Sequence, residues 1–155
     1  MIAPAAAASE REIVITRVFA ARRELVFDAW TDPAHIGEWW GPDGFTTTTL
    51  EMDVRPGGMW RYIMHGPDGV DYPNRMIYRE VVRPERIVYD HGDDVECDPA
   101  QFHVTVTFTE EAGGTRLTSR MLFTSVEQCR TVKEFGAVEG GNQTLGRLAE
   151  YLAGR

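Results

Sequence analysis

Positive charge is scarce in this chain. Lysine and arginine together number 16 against 24 aspartates and glutamates, giving a formal net charge of −8 over 155 residues. Such a balance lacks the basic face that a phosphate backbone requires, so it argues against nucleic acid as a main partner, and it disfavours anionic membrane surfaces. Cysteine is nearly missing. Cys97 and Cys129 belong to no CxxC pair and make no disulfide framework, so both read as free thiols of a reducing compartment. No apolar run approaches the roughly 20 residues that cross a bilayer. The opening "MIAPAAAAS" has neither the positive n-region nor the apolar length of a signal peptide. The expectation is a cytoplasmic protein without membrane insertion, with residues 1–9 a loose tail before a single domain over 10–155.

Metal and phosphate motifs are also lacking. The histidines His35, His65, His91 and His103 show neither an i,i+4 helical pair nor an HExxH spacing, which argues against zinc. The acidic run "DHGDDVECD" lacks the glycine and glutamate placement of a calcium loop and reads as a solvated loop. The two "GPDG" turns are too short for a phosphate loop and have no Lys-Ser/Thr after them. No metal or cofactor is expected.

Aromatic and apolar residues are abundant: hydrophobic residues make up 43% of the chain, which includes four tryptophans. A domain of this size buries roughly 68–70% of its unfolded surface and needs no staple to fold. "REIVITRVFA" is β-branched and apolar, a strand. In "RRELVFDAW", Val26, Phe27 and Trp30 fall on one helical face. Asp32 followed by Pro33 starts a second short helix with Ile36, Trp39 and Trp40 on its face, ended by Gly41-Pro42. Six strands follow. "FTTTTLEMDV" places Thr46, Thr48, Leu50, Met52 and Val54 on one side, and "MWRYIMH" places Trp60, Tyr62 and Met64 opposite Arg61 and His65. "NRMIYREVV", "RIVYDH", "QFHVTVTFTE" and "TRLTSRMLF" complete a meandering antiparallel sheet, with Val104, Val106 and Phe108 facing one way. The end is helical from a Ser125–Gln128 capping box, with Val132, Phe135, Leu145, Leu148 and Leu152 as its apolar stripe and a break expected near Gly140-Gly141. If straight, that stretch of about 28 residues spans roughly 40 Å, enough to lie across the sheet. A curved sheet gripping a helix leaves a gap between them.

Which residues border the gap is open at this level. Trp39, Trp40 and Trp60 either line it or are core; Trp30 reads as core. Tyr62, Met64, Tyr78, Val104, Val106, Phe108 and Phe135 share the inward parity or the stripe, and Met52 joins them. Glu80 shares the parity of Tyr78 and is the candidate acid–base carboxylate, unless it pairs with an arginine at a strand end. Cys129 reads as buried and inert.

"ITRVFAARRELVFDAWTDPAHIGEWWGPDGFT", "DVRPGGMWRYIMHGPDG", "REVVRPERIVY", "FHVTVTFTE" and "GAVEGGNQTLGRLAEYL" resemble the bacterial proteins related to the C-terminal domain of the activator of heat-shock protein 90 ATPase, within the START-like superfamily. The resemblance runs from about Ile13 to Leu152, and the "WTDP…WWGP" and "RPGG.W" pieces are its most specific parts. It implies an α+β helix-grip fold: an incurved antiparallel sheet of about seven strands around a long C-terminal helix, enclosing an apolar cavity. Where relatives commonly carry Gly-Trp in the last helix this chain has Gly140-Gly141, which implies extra room or a bend at Gly141. The functional expectation is a cavity for an apolar or amphipathic small molecule, its orientation fixed by a polar group such as Glu80 or Tyr78. An enzyme of the cyclase or dehydratase kind is the first alternative, and it calls for a pair of buried titratable groups facing the cavity. A chaperone partner is the second, suggested by the family name. A homodimer is compatible with an exposed strand edge.

Overall fold

The computed structural model describes residues 10–93 and 101–154. The tail at 1–9, most of the acidic loop and Cys97 lie outside the described residues. Strand β1 (Glu12–Phe19) is followed by helices α1 (Arg23–Thr31) and α2 (Pro33–Ile36), then by β2 (Thr46–Met52), β3 (Met59–His65), β4 (Asp71–Val82), β5 (Arg86–Asp93), β6 (Phe102–Glu111) and β7 (Gly114–Leu122), and last by α3 (Val126–Glu134) and α4 (Ala137–Ala153). The strands form one seven-stranded antiparallel sheet in the order β1-β7-β6-β5-β4-β3-β2. Every neighbour except β1 is a hairpin partner, so the β1–β7 pair carries the long-range closure.

Local chemistry sets the boundaries. Asp32 caps α2 by accepting from the Ala34 N–H at 2.8 Å, and Pro33 occupies the first turn, where no donor is needed. Ser125 caps α3 by accepting from the Gln128 N–H at 3.0 Å. The Gln128 carboxamide reaches one residue further back than a capping box requires, to the N–H and hydroxyl of Thr124. Two bulges interrupt the sheet, between Thr49 and Glu51 and between Tyr78 and Glu80. Each inverts the inward–outward alternation of its strand. The expected parity of β2 is therefore corrected: Thr46, Thr48 and Leu50 face solvent, Thr47 and Thr49 turn inward, and Met52 regains the inner face only past the bulge.

The expected break in the terminal helix also moves. It lies at Gly136, whose φ of +84° is a left-handed conformation costly for other residues, while α4 runs unbroken through Gly140, Gly141 and Gly146. The 17 residues of α4 give a rod of about 26 Å. It packs on β1, and α1 packs on β6 and β7. Between them lies a core of Val26, Phe27, Trp39, Trp60, Phe108, Leu117 and Leu148, all fully or nearly fully buried.

Candidate functional site

The apolar face of α4 changes character along its length. Ala137, Gly140, Gly141 and Thr144 sit three and four apart, on the same face as Leu145 and Leu148 further on. The leucines reach into the core. The small residues leave space above the sheet except where Ile15 of β1 closes on Gly141, and a cavity of about 320 Å³, partly open to solvent, lies beneath them. The void therefore follows from a helix face that lacks side chains over one half of its length. A Cβ at 140 would meet nothing nearer than Pro42 Cβ at 3.9 Å. At 141 the implied extra room is taken: a Cβ there would overlap Ile15 Cδ1.

The loop after α2 borders the cavity through Gly41 and Pro42 and is clipped to α4. Arg147 Nη1 donates to the carbonyls of Gly41 at 2.8 Å and Pro42 at 3.0 Å, and the Asp43 N–H donates to Gln143 Oε1 at 3.1 Å. His35 Nδ1 and the Tyr151 hydroxyl, 2.5 Å apart, join α2 to the far end of the same helix.

The adjacent tryptophans divide the work. Trp39 is fully buried, its indole N–H on the Ala29 carbonyl at 3.1 Å. Trp40 turns to the cavity, its ring edge-on to that of Tyr62 at 6.1 Å. Tyr62 is stacked on Trp60 at 3.8 Å, and its oxygen lies 2.6 Å from His91 Nε2. Burial drives the Tyr62 pKa far upward, with the Trp40 hydrogen bond opposing and the neighbouring Tyr78 adding to the rise, so the phenol stays neutral. Tyr89 is pushed well up by burial and by the neighbouring Tyr62 and Tyr78.

Of the residues singled out from sequence, Trp40, Tyr62, Met64, Val104 and Gly141 border the cavity, and so does Trp30, which belongs to the buried core as read and also reaches the cavity wall. Trp39, Trp60, Tyr78, Val106 and Phe108 do not; they form the packed floor between the sheet and α1. The Tyr78 hydroxyl is buried without a hydrogen-bond partner among the described residues, and it does not border the cavity. Met52, displaced by the β2 bulge, packs at the core's margin. Phe135 is corrected outright: it is 86% exposed, because the chain leaves the helical stripe at Gly136. Glu80 is corrected as well. The β4 bulge turns it to the strand end, where it accepts from Arg86, the alternative the sequence left open. Sequence reasoning missed Tyr89, His91 and Phe102 at the β5–β6 end, and Ser119 and Met121 on β7. Period-two spacing could have found them, since His91 follows Tyr89, and Ser119 and Met121 follow Leu117, at steps of two.

The outer face of the sheet carries charge. Arg79 and His103 both engage Asp90, at 2.7 and 2.8 Å. Burial works to raise the Asp90 pKa, but hydrogen bonds from His103 and Arg79 outweigh it and hold the carboxyl below its ordinary range. His65 sits between Asp71 at 2.7 Å and the Thr48 hydroxyl at 2.8 Å, the order of a nucleophilic triad, yet none of the three borders the cavity. Among the described residues no cluster of three or more metal-ligating side chains forms, and no helix is long and apolar enough to cross a membrane.

The family model described as Activator of Hsp90 ATPase homolog 1-like protein matches residues 20–153. The chain belongs to this family. Solved structures agree over nearly its whole length. Protein Ms6760 from Mycobacterium smegmatis is 29% identical, with a TM-score of 0.84 over 94% of this chain and 92% of that one. A protein from Arthrobacter aurescens is 26% identical, with a TM-score of 0.88 over 96% and 89%. CV1439 from Chromobacterium violaceum is 28% identical, with a TM-score of 0.75 over 90% and 95%. No curated protein matches the chain. The family's START-like helix-grip fold is the architecture described above: a curved seven-stranded sheet with a C-terminal helix and short helices.

Proposed function

We propose that the protein binds a small apolar or amphipathic molecule between the sheet and α4. The observation that carries this reading is the cavity itself, about 320 Å³ and lined mostly by aromatic, methionine and aliphatic side chains. Dispersion and water exclusion supply the affinity, and Met64 and Met121 adapt to the ligand's shape. Size limits the class. An engineered cavity of about 150 Å³ holds one benzene, so this one takes a ligand of about two rings or the equivalent in chain. Titration with naphthalene, followed by quenching of tryptophan fluorescence and by native mass spectrometry, tests the reading. Saturable one-to-one uptake supports it, and no uptake at the solubility limit overturns it.

A second reading, an enzyme of the cyclase or dehydratase kind, draws on one observation: Tyr62 and His91 are a hydrogen-bonded titratable pair bordering the cavity. Against it, the Tyr62 hydroxyl is enclosed by Trp40 and His91, and Glu80 lies elsewhere. Deuterium exchange at the central carbon of a bicyclic 1,3-diketone, catalysed by the protein and abolished by His91→Asn, would establish this reading.

A further inference from the structure

Ser119 is an anomaly on the floor of the cavity. It follows Leu117 and precedes Met121 on the inner face of β7, where an apolar side chain belongs. It is 8% exposed and borders the cavity, where its hydroxyl faces the open space and not a protein partner among the described residues. An unpartnered hydroxyl in an apolar wall is costly, and each such group calls for an explanation. Tyr89, from β5, also borders the cavity, 4% exposed. Among the other polar side chains that border the cavity, the Trp30 indole N–H is also without a partner but is sealed from solvent. Tyr62 and His91 are hydrogen-bonded to each other, and the Thr144 hydroxyl donates to the Gly140 carbonyl at 2.9 Å. No aspartate, glutamate, lysine or arginine among the described residues borders the cavity.

We propose that Ser119 is the ligand-recognition group of the cavity, and that it hydrogen-bonds an uncharged oxygen, a phenol, alcohol or ketone, on a ligand of about two rings. The proposal rests on the reading of the cavity as a ligand site. Its logic is one of matching. A free hydroxyl both donates and accepts, so it satisfies a hydroxyl or a carbonyl equally well. A carboxylate of the same size would enter without any cation to meet it and would lose its hydration in an apolar enclosure. Tyr89 offers a second hydroxyl to the same class of group from the opposite side of β6.

The test uses the intact chain and three probes, naphthalene, 2-naphthol and 2-naphthoate, titrated by isothermal calorimetry at pH 7.5. Ser119→Ala removes the hydroxyl and leaves a small apolar group in a strand, so folding is preserved; thermal melting checks this. The expected result is that 2-naphthol binds Ser119→Ala about 3- to 10-fold more weakly than the parent, the range of one net hydrogen bond, while naphthalene binds both equally. 2-Naphthoate is expected to bind the parent at least about tenfold more weakly than 2-naphthol. If naphthalene binds and the affinity for 2-naphthol is indifferent to Ser119→Ala, the recognition role is wrong although the cavity reading stands. Equal weakening of naphthalene and naphthol would assign Ser119 to packing and overturn it too. Naphthoate binding as tightly as naphthol refutes the uncharged class. Failure of all three probes removes the cavity reading and this proposal with it.

Discussion

Filling the cavity from the helix side should separate its two consequences, stability and uptake. Gly140 borders the void, and a Cβ there would find Pro42 at 3.9 Å as its nearest neighbour. Gly140→Phe places a benzene-sized ring in the space. Since an engineered cavity of about 150 Å³ accommodates benzene, the ring takes about half of the roughly 320 Å³ present. Two terms favour the variant. Moving the ring from water into an apolar enclosure contributes about 1.5–3 kcal/mol when burial is complete, and replacing a helical glycine adds a few tenths. Incomplete burial at an open cavity lowers the sum to about 1–3 kcal/mol. At about 2–4 °C per kcal/mol for a chain of this size, Tm rises by about 2–12 °C. Affinity for naphthalene falls at least tenfold, because about half the cavity no longer holds a two-ring molecule. Calorimetric melting and titration of the same preparation measure both. A lower Tm with naphthalene binding intact would refute the reasoning, since it would mean that the space beside residue 140 is already filled and that the probe binds elsewhere.

Other substitutions test the parts separately. Glu80→Gln should leave naphthalene affinity unchanged and cost no more than about 1 kcal/mol, the scale of a partly exposed ion pair; a change in affinity would put Glu80 back at the site. Gly136→Ala should destabilise by about 1 kcal/mol, the left-handed penalty less the entropy lost from the unfolded chain, and urea unfolding reads it directly. Asp90 has its pKa held below the ordinary range, so the native state binds fewer protons than the unfolded chain as pH falls past about 4. Its contribution is complete at neutral pH and is lost as pH drops through the folded value. Asp90→Asn should therefore cost stability, about 1–2 kcal/mol for hydrogen bonds to a charged group whose partners are half exposed, at pH 7 and progressively less below pH 4. A constant difference between the two proteins down to pH 2 would show that the charge is immaterial.

The frame of the molecule was legible because its signals are local. The Asp32-Pro33 start of α2, the Ser125 cap of α3 and the alternation of "MWRYIMH" each need only a few neighbouring residues, and each appears where the pattern placed it. What misled was any inference carried across a bulge or a break. Parity counted through Thr49–Glu51 turned Leu50 inward, and parity counted through Tyr78–Glu80 put a carboxylate in the cavity. Four glycines near the end announced an interruption but not its position. The break fell at Gly136, where a positive φ is required, whereas Gly141 is needed for the approach of Ile15. The cavity's cause was readable in principle. Small residues at 137, 140, 141 and 144 and leucines at 145 and 148 mark one helix face as empty and then full. The polar features of the site were not, since the contact of Tyr62 with His91 joins residues 29 positions apart through two strand registers.

The central claim is that a ligand enters between sheet and helix, and the methionine methyl groups report on that space directly. Met64 and Met121 border the cavity, while Met59 and Met76 do not. With 13C-methyl methionine, titration with naphthalene is predicted to shift the Met64 and Met121 resonances saturably and together, leaving Met59 and Met76 in place. Resonances of all four that stay unmoved up to the solubility limit, or that drift in parallel without saturation, would contradict the account.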